Sequence, residues 1–264
     1  MLSWFRKEKQ RPTASTAMKR VIILRSVFVK GFSTPPLHQL ALITSQWSEE
    51  DRRSFDEDSR SLAADQIGKL QASGLWKEME EDERAFIQVV PSEMSPQAQI
   101  DAIWLPEPVL CLRWALTHLE DLPSYDEQAS EETMKGTPAE TVRELLNGSQ
   151  LRAAAEIDRQ RDLAELWHWR CRTRQLIESG KMPEKIAGGI TIEEVIRETA
   201  TRGGEEYKFT VIGGDFAIFG QPFRDATEEE FSAVHSIARE RHKAFNWLCG
   251  YAPGNCWSKT PTGT

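Results

Sequence analysis

His235 and His242 stand seven positions apart, a spacing that places two imidazoles on one face of a helix, two turns from each other. Such nitrogens can ligate a metal or carry a proton. Two ligands do not complete a site, however. Arg239 between them would repel a divalent ion, and no acid stands at an obvious chelating position, so no metal is expected and both histidines read as structural. The run Trp167-His168-Trp169-Arg170 is the densest aromatic and basic cluster, of a kind that stacks a nucleobase or grips a peptide. Trp167 is in register with Leu163, Leu166 and Arg170 on a long amphipathic helix, which argues for core packing instead.

Nucleophiles give no stronger pattern. The four cysteines, Cys111, Cys171, Cys249 and Cys256, contain no C-x-x-C pair. A bridge from Cys249 to Cys256 is geometrically conceivable across Gly250, Pro253 and Gly254, but nothing else points to an oxidising compartment, so reduced thiols and a cytoplasmic location are expected. Neither Cys111 nor Cys171 has a local histidine pattern, and both read as inert buried thiols. The pairs Gly188-Gly189, Gly203-Gly204 and Gly213-Gly214 lack the lysine and the strand-to-helix setting of a phosphate cradle, and read as turns. H-E-x-x-H and G-x-S-x-G are both missing. No catalytic residue and no cofactor is therefore expected.

Charge is the remaining signal. The chain of 264 residues has a formal net charge of −8, which disfavours general nucleic-acid binding because phosphate neutralisation needs clustered Lys and Arg. The segment from Glu120 to Lys135 contains Pro123 and no helical stripe, and reads as a loop. It gathers Asp121, Asp126, Glu127, Glu131 and Glu132, carboxylates that would complement a basic partner or simply solvate the loop.

The elements that must position these residues are mostly helical. An apolar run from Val21 to Val29, interrupted by Arg25, is too short to span a bilayer and has no small-residue cleavage site after it. It reads as core within a helix from Thr16 to Lys30 closed by Gly31, although its β-branched content leaves a strand open. Residues 1–15 read as a flexible basic tail, and 16–264 as a single mainly helical domain. Ser48 followed by three acids caps a helix running to about Ala72, with Leu62, Ile67 and Leu70 as its apolar face. Short helices fit from Gln97 to Trp104 and from Pro106 to Leu119, the second buried on most sides with Arg113 and His118 as polar exceptions.

Thr137-Pro138 and Glu140 begin a helix ending at Asn147-Gly148, after which Ser149 caps a long one reaching Ser179. Capping boxes at Thr191/Glu194 and Thr227/Glu230 start two more, the first ended by Gly203-Gly204. Alternation from Tyr207 to Val211, then Gly213-Gly214-Asp215 and Phe216 to Phe219, predicts a hairpin. In the last helix Arg241 breaks a stripe of Phe231, Val234, Ala238, Phe245 and Leu248, so an acidic partner for its guanidinium is expected elsewhere in the fold. The fold class is thus mainly α, a multi-helix globular domain with a small β-hairpin, and α+β is the fallback.

The segment Glu240-Arg241-His242-Lys243-Ala244-Phe245-Asn246-Trp247-Leu248-Cys249-Gly250 resembles the closing signature of the bacterial domain-of-unknown-function family 4272. The resemblance extends to Arg25-Ser26 before Gly31, to Trp114 through Tyr125, and to Asp215 through Gly220, and so spans most of residues 16 to 264. Where that family ends in an acid-rich tail, this chain has Cys256, Ser258 and Gly263. The resemblance implies a largely helical bacterial domain and carries no catalytic residues over to this chain. Some relatives look like immunity partners of secreted bacterial toxins.

The leading expectation is a non-catalytic acidic binding protein that neutralises a cognate toxin, such as a nuclease effector of type VI secretion, through Asp121, Asp126, Glu127, Glu131 and Glu132. Its partner would be a basic protein, with no nucleic acid and no membrane span. The alternatives are an enzyme with a pocket near Arg241, His242 and Trp247, or a housekeeping scaffold.

Overall fold

The first described helix has two buried faces. The structure is a computed structural model that describes residues 10–134, 149–183, 185 and 188–263. Helix α1 (Ala14–Ser33) is capped by Thr13, whose hydroxyl accepts from the Thr16 amide at 3.1 Å. Ala17, Met18, Val21, Leu24 and Phe28 face the main core, while Ile23 and Val27 face a second, smaller one. Burial on two sides is why the run looked apolar all round, and it resolves the helix-or-strand ambiguity in favour of helix. The tail expected over 1–15 does not include residues 11–15, because Arg11 reaches both oxygens of Asp158 at 2.5 and 2.7 Å and Ala14 opens the helix. Residues 1–9 lie outside the described residues.

The small core lies between α1 and three further helices. These are α3 (Glu49–Ala72), α4 (Glu81–Gln88) and α5 (Pro96–Ile103), with α2 (Leu37–Thr44) before them. Ser48 caps α3 as expected, and Asp51 completes a capping box with it. Of its expected apolar face, Leu70 is buried and Ile67 packs against the small core, but Leu62 is 73% exposed. Gly31 was expected to close α1 in the left-handed region, yet it sits inside the helix. A Cβ there would meet Ala102 Cβ at 2.6 Å, so the glycine exists to let α1 and α5 approach.

The main core is built from α1, α6 (Pro106–Ala115), α7 (Ala154–Glu178) and α9 (Glu228–Leu248), together with a small sheet. Helix α9 crosses the middle and packs on both α7 and α6. Helix α6 stops at Ala115, short of the Leu119 expected, and Thr117 then turns with φ of 62°. Ser149 does not cap α7, which is capped at Ala153 and starts four residues later than expected. Residues before it are held by tertiary contacts instead: the Arg152 amide donates to the Ala115 carbonyl at 2.8 Å. The helix expected from Thr137 to Asn147 lies outside the described residues.

Helix α8 (Ile192–Tyr207) begins at its capping box but is not ended by Gly203-Gly204. The chain continues to Lys208, which closes it at φ of 66°. Gly203 is there because a Cβ would meet Leu166 Cδ2 at 2.6 Å and the Phe209 ring at 3.0 Å. Strands β1 (Val211–Ile212), β2 (Asp215–Ile218) and β3 (Gln221–Pro222) form an antiparallel sheet in that order, with Val211 opposite Phe216 and Ala217 opposite Pro222. The predicted hairpin is β1–β2, and β3 extends it. Tyr207 belongs to the helix. The fold class is mainly α with a small antiparallel sheet. Among the described residues no helix is long and apolar enough to cross a membrane.

Candidate partner-binding face and buried polar network

The acidic segment is not a loose loop. Its backbone carbonyls are captured by four arginines, each from a different part of the fold. Arg152 donates to Leu119 and Glu120 carbonyls at 2.8 and 3.1 Å. Arg241 takes Pro123 and Ser124 through Nη1 at 2.6 and 3.2 Å and Glu127 through Nη2 at 3.0 Å. Arg113 holds Thr133 and Arg25 holds Met134, both at 2.7 Å. Burial first, and then the neighbouring charge of Arg113, lowers the Arg25 pKa. Carbonyl oxygens are the acceptors that two such close cations need.

Arg241 is the central pin. Its Nε donates to Glu107 Oε2 at 2.8 Å, and both side chains are 1% exposed. This is the acidic partner that the interrupted stripe required. Burial, the largest single influence, lowers the Arg241 pKa, but Glu107, Tyr125 and Cys111 together outweigh it and the net direction is upward. The other carboxylate oxygen of Glu107 accepts from the Ala129 amide at 2.6 Å, so the pair fixes the segment from both sides. Tyr125 lies under the guanidinium, 4.8 Å from its centroid, and stacks on Trp167 at 4.9 Å with 9° between planes. Trp167 is thus core, as its register implied.

The five acids named from sequence are brought to one segment but not to one role. Asp121, Glu127, Glu131 and Glu132 have exposed side chains. Asp126 is different: it accepts from the Phe219 amide at 2.7 Å and from the Ser124 hydroxyl, tying the segment to the β2–β3 turn. Beside it opens a cavity of about 710 Å³. Leu122 to Asp126, Gln160 and Leu163 of α7, and Lys208 to Thr210 line it.

The alternative trio of Arg241, His242 and Trp247 does not form a pocket. All three are at most 1% exposed, and neither His242 nor Trp247 lines the cavity that Arg241 lines. Trp247 donates its indole N–H to the Asn255 carbonyl at 2.9 Å. His242 belongs to a buried chain of hydrogen bonds. Arg161 Nε donates to Asn246 Oδ1 at 3.1 Å, and Asn246 Nδ2 donates to the Pro261 carbonyl at 2.8 Å and to His242 Nε2 at 2.9 Å.

The amide orientation fixes the tautomers. His242 Nε2 accepts, so Nδ1 holds the hydrogen and donates to His168 Nδ1 at 3.1 Å. Both rings are then neutral, and a proton on His168 Nδ1 would oppose that N–H. Burial first, then the charges of His242 and His235, push the His168 pKa down to about 3; burial and Arg161 push His242 down to about 4. His235 lies 5.8 Å from the His168 ring. Among the described residues no group of three His, Cys, Asp or Glu is arranged to hold a metal ion.

The cysteines are free. Cys111, Cys171 and Cys249 are buried and Cys256 half-buried. Burial pushes the Cys171 and Cys249 thiols up to about 12.

Sequence reasoning missed Arg25, Arg113, Arg152 and Glu107 as the residues that shape this face. The signal existed for Arg25 and Arg113, which interrupt apolar runs as Arg241 does, and the same requirement for an acceptor applied to them.

Residues 4–196 match the family described as Domain of unknown function (DUF4272). The chain belongs to that family. In this DUF4272 member the matched residues stop before the β-sheet and α9, so the Glu240–Gly250 segment lies beyond them. Three of the four arginines that pin the acidic segment fall inside the match, and Arg241 falls outside it. No curated protein and no solved structure matches the chain.

Proposed function

We propose that this DUF4272 chain is a non-catalytic acidic binding protein whose segment 120–134 and adjoining groove receive a basic protein. The role is that of an immunity protein neutralising a cognate secreted toxin in the cytoplasm. One observation carries the reading: the carbonyls of the acidic segment are held at both ends and in the middle by arginines, while four of its carboxylates are exposed. A segment ordered before binding loses little conformational entropy on binding, so its charge converts efficiently into affinity.

A nuclease of type VI secretion is the toxin class that suits such a face. The Lys and Arg that hold its substrate phosphates would meet Asp121, Glu127, Glu131 and Glu132, which speeds encounter and covers the site. The groove beside Asp121 and Asp126 takes the length of a basic side chain from the partner.

The test is capture of partners on the immobilised full chain at low salt, followed by identification and a salt titration. A basic toxin whose release steepens with salt is the expected result. Capture that is insensitive to salt, or of acidic proteins alone, contradicts it.

A further inference from the structure

Phe219 and Gly220 are the two residues that connect β2 to β3, since Ile218 already stands opposite Gln221. Both have positive φ, 49° and 75°, the backbone of a type I′ turn. Gly220 suits it. Phenylalanine does not, because its Cβ crowds the backbone in that region and such turns favour Asn, Asp or Gly at the position. Burial of the ring would account for the choice, but the ring is not buried. Phe219 is 47% exposed, packs against neither core and has no aromatic partner among the described residues. Of the exposed large apolar residues among those described, it alone has positive φ.

The turn is held from outside the sheet. The Phe219 amide donates to Asp126 Oδ2 at 2.7 Å, and the Ser124 hydroxyl donates to Oδ1 of the same carboxylate. The tip is thereby fixed to the acidic segment at the residue before Glu127, whose carbonyl Arg241 holds at 3.0 Å. Asp126 and Gly220 both line the cavity of about 710 Å³, so Phe219 sits at its rim while its own side chain is no part of the lining. Asp121 and Glu127 are exposed on the same segment, to either side of Asp126 in the chain.

We propose that Phe219 is the apolar anchor of the face that receives the basic protein, entering an apolar depression on the partner that is bordered by Lys or Arg. The inference rests on the reading of the acidic face given above, and adds to it the contact that supplies affinity beside the charges that steer. Binding energy at interfaces concentrates in a few side chains, aromatic ones prominent among them, set within a polar rim. A ring carried on a backbone that is already fixed has little freedom to lose on docking. The flanking carboxylates decide the chemistry of the occupant: they complement a basic protein surface and would repel an anionic lipid surface, the other target of an exposed aromatic tip.

The test measures Phe219→Asn, Phe219→Tyr and Leu62→Asn in the full chain, both for thermal unfolding and for affinity to the purified basic protein recovered by low-salt capture. Asn is at home in the turn, so Phe219→Asn should unfold at the same or a higher temperature than the unmodified chain. Its affinity should fall about tenfold or more through faster dissociation, with the salt dependence unchanged because no charge is removed. Phe219→Tyr should keep the affinity within about threefold. Leu62→Asn, which removes an equally exposed apolar side chain from α3, should leave it unchanged. Full affinity in Phe219→Asn, where neutralising Asp121 and Glu127 still weakens binding, would overturn the anchor and leave the acidic face standing. A lower unfolding temperature in Phe219→Asn would also overturn it, since the ring would then serve the turn itself. Failure to recover any basic protein would end the reading of the face, and the anchor with it.

Discussion

Arg241 and Glu107, 134 positions apart in the chain, meet through a 2.8 Å hydrogen bond at the point where α9, α6 and the acidic segment come together. Removing either partner leaves the other charge buried. Glu107→Ala should destabilise the chain by about 3–5 kcal/mol in urea denaturation, and a double-mutant cycle with Arg241→Met should show strong coupling, because the second change removes the stranded charge. Hydrogen exchange at the Ala129 amide, which donates to Glu107, should accelerate in Glu107→Ala. A loss of stability below about 1 kcal/mol would mean that the segment is held by other means.

The His168–His242 contact makes stability depend on acid. Both folded pKa values lie below the ordinary 6.5, near 3 and 4. The unfolded chain therefore binds protons first as pH falls. Stability is full above about pH 6.5 and declines below it, by at most about 1.4 kcal/mol per pH unit for each histidine, until the folded values are reached. Urea midpoints measured at pH 7.5, 6 and 5 should fall in that order, and His168→Gln/His242→Gln should flatten the trend. An unchanged pH trend in the double variant would remove the histidines from the account.

Two helical glycines should respond in opposite directions. Gly31→Ala drives a Cβ into Ala102 and should cost about 1–3 kcal/mol. Gly68→Ala, in the exposed interior of α3 with nothing within 4 Å, should gain about 0.5–1 kcal/mol. Thermal melts of the two variants decide whether α1 and α5 approach as closely as described.

Thiol reactivity should separate one cysteine from three. Cys256 is half-buried, whereas Cys111, Cys171 and Cys249 are buried with raised pKa values. A chromogenic disulfide reagent should label Cys256 first under native conditions and all four only in denaturant. Fast native labelling of Cys171 would place it outside the core.

The Ser48 cap and the capping boxes at Thr191/Glu194 and Thr227/Glu230 were legible because a cap is local chemistry, written within four residues. Helices α2 and α4 were not: α2 has no side-chain cap, and in α4 the Glu80 amide donates to Glu83 in place of a Ser or Thr pattern. Gly31 and Gly203 misled for a related reason. Glycine marks either a turn or a close approach, and only the neighbouring helix decides which. The need of Arg241 for an acid was readable, but that the acid would be Glu107, set between two prolines, depends on contacts across more than a hundred residues. The acidic segment itself was visible; that Asp126 is tied to Phe219 while its neighbours are exposed was not.

Those neighbours are where the account is tested most directly. Asp121→Asn/Glu127→Gln/Glu131→Gln/Glu132→Gln keeps the carbonyls that the arginines hold and removes four exposed charges. Affinity for the captured basic partner, measured against the unmodified chain at several salt concentrations, should fall at least tenfold at low salt and lose most of its salt dependence. An affinity and salt slope equal to those of the unmodified chain would contradict the proposal that this face receives the partner.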